Sequence, residues 1–309
     1  MLCVVTMLRG PLVRKSIRTL LAGAVLVTGL VAVQPSAEAS TVYCQSTANP
    51  KMAAKLQHDI ANAMSQYSTT KGIGVYDAKH HLYCLANAHW HNFAASSIKA
   101  TILAALLYKR HGNLTAWEKS QAVPMIHVSD NTAASNLWSD VGGYAGIKPF
   151  LRAAGMNETL ESPTGSWGGT RETAYDELKL LRLLTASNKV LSNASRSYQL
   201  GLMAGVTTSQ RFGTPAGHPV SVQVHVKNGW YPWGNGWVVN SLGTFNGGSQ
   251  HADYMMDVLT APNGTGMQYG INSIQAIARV VHRDLNPGAS LTAREAAPVY
   301  PTTSDGSTP

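Results

Sequence analysis

The most informative stretch of the chain is SSIKATILAALLY, residues 96–108. After Ser96 the stretch is apolar and free of glycine and proline, which predicts a buried helix. Because positions three residues apart share one face of a helix, Ser96 and Lys99 would lie one turn apart. A serine hydroxyl is a weak nucleophile that needs a base within hydrogen-bond reach. The pair therefore predicts a nucleophilic serine at a helix start, where unpaired N–H groups favour developing negative charge.

Two further motifs follow in the chain, Ser129-Asp130-Asn131 and Lys227-Asn228-Gly229. Ser-x-x-Lys, Ser-Asp-Asn and Lys-Thr-Gly in this order are the signature of class A β-lactamases and penicillin-binding proteins. The chain therefore resembles the class A β-lactamase-like serine hydrolases, in particular their divergent secreted members from actinobacteria, a family related to the penicillin-binding proteins and D,D-peptidases. The resemblance runs from about Tyr43 to about Leu285. A lone Ser-x-x-Lys arises often by chance, whereas three motifs in order are specific.

The resemblance implies a role for each polar residue of the motifs. Ser96 would be the nucleophile, and Lys99, with a pKa lowered by burial, would accept its proton. Ser129 would relay a proton to the leaving nitrogen, while Lys227 would bias Ser129 and attract a substrate carboxylate. Both serines have a structural alternative, since serine is also a common helix cap.

Substrate binding would fall to the neighbours of these residues. The amide of Asn131 could bind a substrate carbonyl or amide, and the backbone N–H groups of Ser96 and Trp230 would form the oxyanion hole. Gly229 would let substrate lie close to the strand backbone. Asn228 replaces the Thr or Ser of the family, which removes a hydroxyl that normally contacts the substrate carboxylate.

The second departure from the family concerns the base that deacylates the enzyme. A competent class A β-lactamase places a Glu after the helical middle of the chain. The corresponding region here, residues 159–167, lacks the Glu-Pro-Glu-Leu-Asn pattern. Glu161 is the best candidate for a deacylation base, although neither it nor Glu158 or Glu172 falls in register. We therefore expect an acyl-enzyme that forms and lingers.

Residues 1–39 are typical of an export signal. Four basic side chains precede an apolar run from Thr19 to Val33, and Ala37-Glu38-Ala39 provides a small-x-small cleavage site. The apolar run is short for a bilayer span. We expect cleavage before Ser40 and a secreted product without stable membrane insertion; an uncleaved anchor is the alternative.

The rest of the chain has the composition of one secreted domain. Without the four basic residues and one acidic residue of the signal, the net charge of +8 falls to +5, which would favour an anionic cell wall. The charge does not cluster into a nucleic-acid-binding face. We expect a monomer that acts on a small-molecule or peptide substrate and needs no cofactor or metal, since the histidine pairs lack structural-zinc spacing.

Two cysteines, Cys44 and Cys84, remain after signal cleavage. An even number in an oxidising compartment predicts a disulfide bond between them. Two separate buried thiols are the alternative.

The order of predicted elements indicates the fold. A helix over residues 52–67 and a hairpin over 72–85 precede helices from Ser97 to about Gly205, then strands over 220–227, 237–245 and 254–259 and a closing helix over about 269–285. Such an order predicts an α/β (α+β) domain over residues 40–285, with an antiparallel sheet that is built from both ends of the chain and flanked by helices, and an all-helical lobe. The family resemblance implies the same β-lactamase/transpeptidase-like fold, with its site between the two lobes. Residues 286–309, rich in Pro, Ser and Thr, are predicted to be a disordered tail.

Three functions compete at this stage. The first is a secreted serine hydrolase acting on β-lactam rings, with D-alanyl peptides of peptidoglycan as the alternative substrate. The second is a slow-turnover penicillin- or muropeptide-binding protein on the same fold. A structural wall-associated domain ranks last, because it leaves Ser96 and Lys99 without a role.

Overall fold

A computed structural model describes residues 41–247, 252–261, 264, 266–293 and 303–305. The predicted signal peptide, residues 1–39, lies outside the described residues. Within the described ranges, no helix is both long enough and apolar enough to cross a membrane.

Six antiparallel strands form the central sheet, and a two-stranded ribbon lies beside it. The strands in chain order are β1 (Tyr43–Ser46), β2 (Lys71–Asp77), β3 (Leu82–Ala86), β4 (Asn92–Phe93), β5 (Arg171–Glu172), β6 (Gln223–Trp233), β7 (Gly236–Asn246) and β8 (Ala252–Thr260). The order across the sheet is β1-β3-β2-β8-β7-β6, and β4 pairs with β5. The sheet is thus built from both ends of the chain, as predicted. The strand expected over 220–227 instead continues through the Lys227-Asn228-Gly229 motif to Trp233.

Helices surround the sheet and fill the middle of the chain. They are α1 (Pro50–Ser65), α2 (Ile98–Lys109), α3 (Ala116–His127), α4 (Asn131–Val141), α5 (Gly143–Ala154), α6 (Ala174–Thr185), α7 (Asn193–Ala204) and α8 (Met267–Leu285). Helices α1 and α8 pack against each other, α8 packs on β7, and α6 packs on β2 and β8. The mixed architecture with a helical middle confirms the predicted fold class.

Helix α2 is the central element of the fold. Every residue from Ile98 to Leu107 is buried, because α2 contacts helices α4, α5 and α7 as well as β6. A helix that is apolar on all sides is stable only when it is enclosed in this way. The enclosure fixes the first turn of α2 relative to the edge strand β6.

Covalent and local contacts fix the two ends of the described chain. A disulfide joins Cys44 of β1 to Cys84 of β3, which are paired directly across the sheet. In the predicted tail, Leu291 forms a β-bridge with Pro219, and Asp305 hydrogen-bonds to Trp230 of β6. The tail residues 294–302 and 306–309 lie outside the described residues.

Three carboxyl groups, those of Glu172, Glu177 and Asp257, are sealed inside the domain. Burial raises the pKa of Glu172 to about 7, although a hydrogen bond that the Ser97 hydroxyl donates at 2.9 Å opposes the shift. Burial, together with the mutual repulsion of these carboxylates, raises the pKa of Glu177 and of Asp257 well above the ordinary value. The folded protein therefore holds protons that the unfolded chain has already released at neutral pH.

The cluster contributes a term to the free energy of unfolding that falls as the pH rises from 6.5 to 8, because its carboxyl groups bind more protons in the folded state than in the unfolded state. Buried Lys71 and Lys99, each with a pKa of about 8, and buried His225 and His282, with pKa values of about 4 and about 3, contribute with the opposite sign. Relative to the parent, Glu177→Gln removes one proton of the cluster and should shift the slope of the unfolding free energy against pH upward by up to about 1.4 kcal/mol per pH unit. Urea unfolding across the window measures the slope.

Asp59→Asn is the matched control, because its partners Lys55 and Arg283 keep the Asp59 carboxylate ionised throughout this window. It should leave the slope of the parent unchanged. An equal slope in Glu177→Gln and the parent would contradict the prediction.

Candidate active site

Ser96 lies in a 3-10 turn, Ala95–Ser97, that leads directly into α2. Ala95 has φ +52, a left-handed conformation that residues with a side chain rarely adopt. The Ser96 side chain makes no capping hydrogen bond, and neither does that of Ser97 at the start of α2. Among the residues that the structure describes, the fully buried Ser96 Oγ has no hydrogen-bond partner. Such a hydroxyl is unusual in a folded protein and is suited to meet a ligand.

Hydrogen bonds from two directions hold this turn. The N–H of Ala94 donates to Thr170 O at 2.8 Å, and the N–H of Ala95 donates to Gly168 O at 3.0 Å. From β7, the buried amide of Asn240 donates to Ala94 O at 3.0 Å. These contacts fix the strained turn between the loop before β5 and the sheet.

Lys99 lies one turn after Ser96 and is fully buried. Its Nζ donates to Ser129 O at 2.6 Å, to Ser129 Oγ at 3.1 Å and to Asn131 Oδ1 at 2.6 Å. Burial lowers the pKa of Lys99 to about 8, against the opposing charges of Asp305 and Asp130. At pH 7 roughly a tenth of the side chains would then be neutral and able to accept a proton.

Ser129 is positioned by the residue that follows it. Asp130 Oδ1 accepts the N–H of Ala133 at 2.7 Å and caps α4, so the helix cap is Asp130 rather than Ser129. Ser129 itself has φ +59. The strained backbone turns its hydroxyl to the lysines, and Lys227 Nζ donates to Ser129 Oγ at 2.9 Å. Burial, reinforced by the charge of Lys99, lowers the pKa of Lys227 well below its ordinary value.

Strand β6 passes beside the serine turn at Gly229. A Cβ atom at this position would lie 2.5 Å from Ser96 N and 2.6 Å from Ser97 N, so only glycine permits the approach. The next residue, Trp230, donates its backbone N–H to Asp305 Oδ2 at 3.1 Å. Sequence reasoning missed Asp305, which carries no local signal.

Asn228 lies on the same strand but makes structural contacts. Its Nδ2 donates to Gln210 O at 2.7 Å and to Phe212 O at 3.0 Å. The side chain is buried, and its Oδ1 has no partner in the described part of the chain. Its amide nitrogen therefore anchors the segment before β6, while the predicted role in substrate binding stays a prediction.

The loop before β5 brings Trp167 to Lys99. The Trp167 ring centroid lies 4.7 Å from Lys99 Nζ, and the indole N–H donates to Ser135 Oγ at 3.1 Å. Trp167 is buried, whereas Glu161, the predicted deacylation base, is exposed, and its charge acts on the hydroxyl of Tyr144. The sequence contained one signal for Trp167: it is the last residue of the region, 159–167, where the deacylation base was expected.

Comparison with known proteins identifies the family to which the chain belongs. The sequence model of the Beta-lactamase enzyme family matches residues 119–285, which is more than half of the chain, and the chain belongs to this family. The matched region contains Ser129, Asn131 and Lys227 and begins after Ser96 and Lys99.

Curated relatives are distant. A protein of Mycobacterium tuberculosis named "Putative lipoprotein LppW" is 28% identical over 170 residues, covering 52% of this chain and 54% of the relative. Its counterpart in Mycobacterium bovis matches equally. The chain thus spans about half the length of the curated relatives it matches.

Solved structures share the fold. A β-lactamase from Xanthomonas campestris pv. campestris has a TM-score of 0.63 at 18% identity, covering 75% of this chain and 97% of that one. The class A β-lactamase from Mycobacterium abscessus has a TM-score of 0.60 at 19% identity, covering 73% and 97%. Identities this low establish the fold alone.

The cover of Lys99 by Trp167 gives a prediction about the lysine. Trp167→Ala should admit water to Lys99 Nζ and raise its pKa by about one unit toward the ordinary value, because burial is the main cause of the depression. Trp167→Phe keeps an aromatic cover and should change the pKa less. NMR titration of ¹³Cε-labelled lysine measures both, and a Lys99 pKa that is unchanged or lower in Trp167→Ala would refute the role of the ring.

Proposed function

We propose that the protein is a secreted active-site-serine hydrolase of the class A β-lactamase type, which is acylated by β-lactams on Ser96 and releases the product slowly. One observation carries the proposal. Ser96 Oγ is buried without a partner in the described structure, one turn before a lysine that shares Ser129 with a second buried lysine. The proposed nucleophile lies in the turn before α2, the base in α2, the proton relay just before α4, and the second lysine in β6.

Acylation would proceed with all protons accounted for. Neutral Lys99 takes the proton of Ser96 as Oγ attacks the carbonyl carbon of the lactam. The N–H groups of Ser96 and Trp230 would stabilise the oxyanion. When the ring C–N bond breaks, Ser129 gives its hydroxyl proton to the nitrogen and regains one from Lys99 or Lys227, whose Nζ atoms lie 3.1 and 2.9 Å away. The product of this step is an ester on Ser96.

Hydrolysis of that ester requires an activated water molecule. A general base must lie within hydrogen-bond reach of the proton that it removes, directly or through one water. The loop residue that meets Lys99 is Trp167, whose ring has no acid–base function at neutral pH. Slow deacylation follows, so the protein would spend much of its time acylated in the presence of β-lactam.

Export is part of the proposal. A Cys44–Cys84 disulfide suits an oxidising compartment outside the cytoplasm. The predicted signal at residues 1–39 supports the same location, and the net charge of +5 that remains after its removal would favour contact with an anionic cell wall.

A second candidate substrate is a D-alanyl peptide of peptidoglycan. It is supported by a backbone hydrogen bond between the tail and β6, in which the N–H of Asp305 donates to Trp230 O at 3.2 Å. A peptide substrate would use the same carbonyl of Trp230. Release of D-alanine from a D-Ala-D-Ala peptide, measured beside β-lactam acylation, separates the two.

Ser96→Ala should abolish covalent labelling by a fluorescent penicillin, because the loss of a catalytic nucleophile costs several orders of magnitude in rate. Intact-mass spectrometry over time measures the adduct. Ser97→Ala is the matched control, since Ser97 is equally buried and adjacent but donates to Glu172. It should still form the adduct, and equal labelling of Ser96→Ala and the parent would refute the assignment.

Turnover of a chromogenic β-lactam should show a burst of one equivalent followed by a slow steady state. Glu161→Gln should leave both phases unchanged, because Glu161 is exposed and Trp167 occupies the space beside Lys99. Stopped-flow absorbance resolves the two phases. A steady state abolished in Glu161→Gln would make that residue the missing base. A linear progress curve well above the ~10 s⁻¹ typical of enzymes would show that deacylation is efficient.

A further inference from the structure

A segment of the C-terminal tail, Thr303–Asp305, lies in the candidate site. The indole N–H of Trp230 donates to Thr303 O at 2.8 Å, and the backbone N–H of Trp230 donates to Asp305 Oδ2 at 3.1 Å. In return, Asp305 N–H donates to Trp230 O at 3.2 Å. Asn131 Nδ2 donates to Asp305 O at 2.6 Å. The segment therefore contacts the site through both backbone and side chain.

The groups that hold this segment are those assigned to substrate. The N–H of Trp230 is the proposed oxyanion donor, and the amide of Asn131 is the proposed partner of a substrate carbonyl. Asn131 also accepts from Lys99 at 2.6 Å, so a single side chain links the tail to the base. The charge of Asp305 raises the pKa of both Lys99 and Lys227 against the effect of burial. The Asp305 carboxylate thus lies within the field of both catalytic lysines.

We propose that Thr303–Asp305 is an intramolecular ligand of the site, which competes with substrate for Trp230 and Asn131 and keeps the resting protein inhibited. The inhibited activity is the proposed function, so this part of the inference rests on that proposal. The binding of the tail does not rest on it. It also defines the ligand class as an extended peptide whose acidic side chain reaches the Trp230 N–H.

Chemistry explains why such a ligand would inhibit without reacting. The side-chain carboxylate of Asp305 carries two oxygens and no nitrogen leaving group. Attack by Ser96 on this carboxylate would therefore break no C–N bond and would form no ester. The hydrogen bonds of Thr303 and Asp305 to Trp230 and Asn131 supply affinity, and the carboxylate supplies specificity. A ligand carried on the same chain competes with free substrate at an effective concentration set by the connecting segment.

The test uses the full chain with Asp305→Ala and the control Glu295→Ala, which removes the same charge from the tail. In ¹⁵N–¹H spectra, the backbone and indole signals of Trp230 should shift in Asp305→Ala and stay in place in Glu295→Ala. Labelling by a fluorescent penicillin should be about tenfold faster in Asp305→Ala, as expected for loss of a charge-assisted hydrogen bond. Glu295→Ala should label within about twofold of the parent.

A peptide supplied in trans completes the test. The nonapeptide PTTSDGSTP, residues 301–309, should restore the Trp230 signals of Asp305→Ala and slow its labelling, whereas PTTSAGSTP should do neither. Unshifted Trp230 signals in Asp305→Ala would overturn the inference, and shifted signals with an unchanged labelling rate would overturn the inhibition. If no variant labels but the peptide still moves the Trp230 signals, the tail ligand stands and the proposed hydrolase fails.

Discussion

The site depends on one constraint, which is the burial of two lysines around a single hydroxyl. Lys99 and Lys227 are both fully buried, and both donate to Ser129 Oγ. Removing two like charges from water is expensive unless each finds strong partners. Lys99 finds them at the start of α4, in the backbone carbonyl of Ser129 and the amide of Asn131. This arrangement ties α2, α4 and β6 together and lowers the pKa of both lysines.

Strain and close approach keep Ser96 aligned with this centre. Ala95 and Ser129 adopt left-handed conformations, which cost free energy and persist only where the surroundings over-determine them. The surroundings here are backbone hydrogen bonds to the loop before β5, the amide of Asn240, and the contact of the turn with Gly229. Ser96, the proposed nucleophile, is therefore positioned by a sheet, a helix and a loop at once.

Two features of the candidate site support the proposed slow turnover, and they act in the same direction. Trp167 covers Lys99 with an aromatic ring, and Asp305 occupies the donor at Trp230. The first would slow the release of product, and the second would slow the entry of substrate. Together they favour a protein that binds and holds its ligand over one that turns it over rapidly.

Local patterns in the sequence determined much of the fold and the centre of the site. The buried helix after Ser96 follows from an unbroken apolar run, and the hairpin of β2 and β3 and the closing helix α8 follow from local hydrophobic patterns, all of which depend only on near neighbours. Tertiary structure alone decided the rest. Strand β6 runs on to Trp233 because β7 pairs with its whole length, and Trp167 rather than Glu161 meets Lys99. Asp305 reaches Trp230 from 75 residues away. Such contacts depend on how distant segments pack, and no local pattern encodes them.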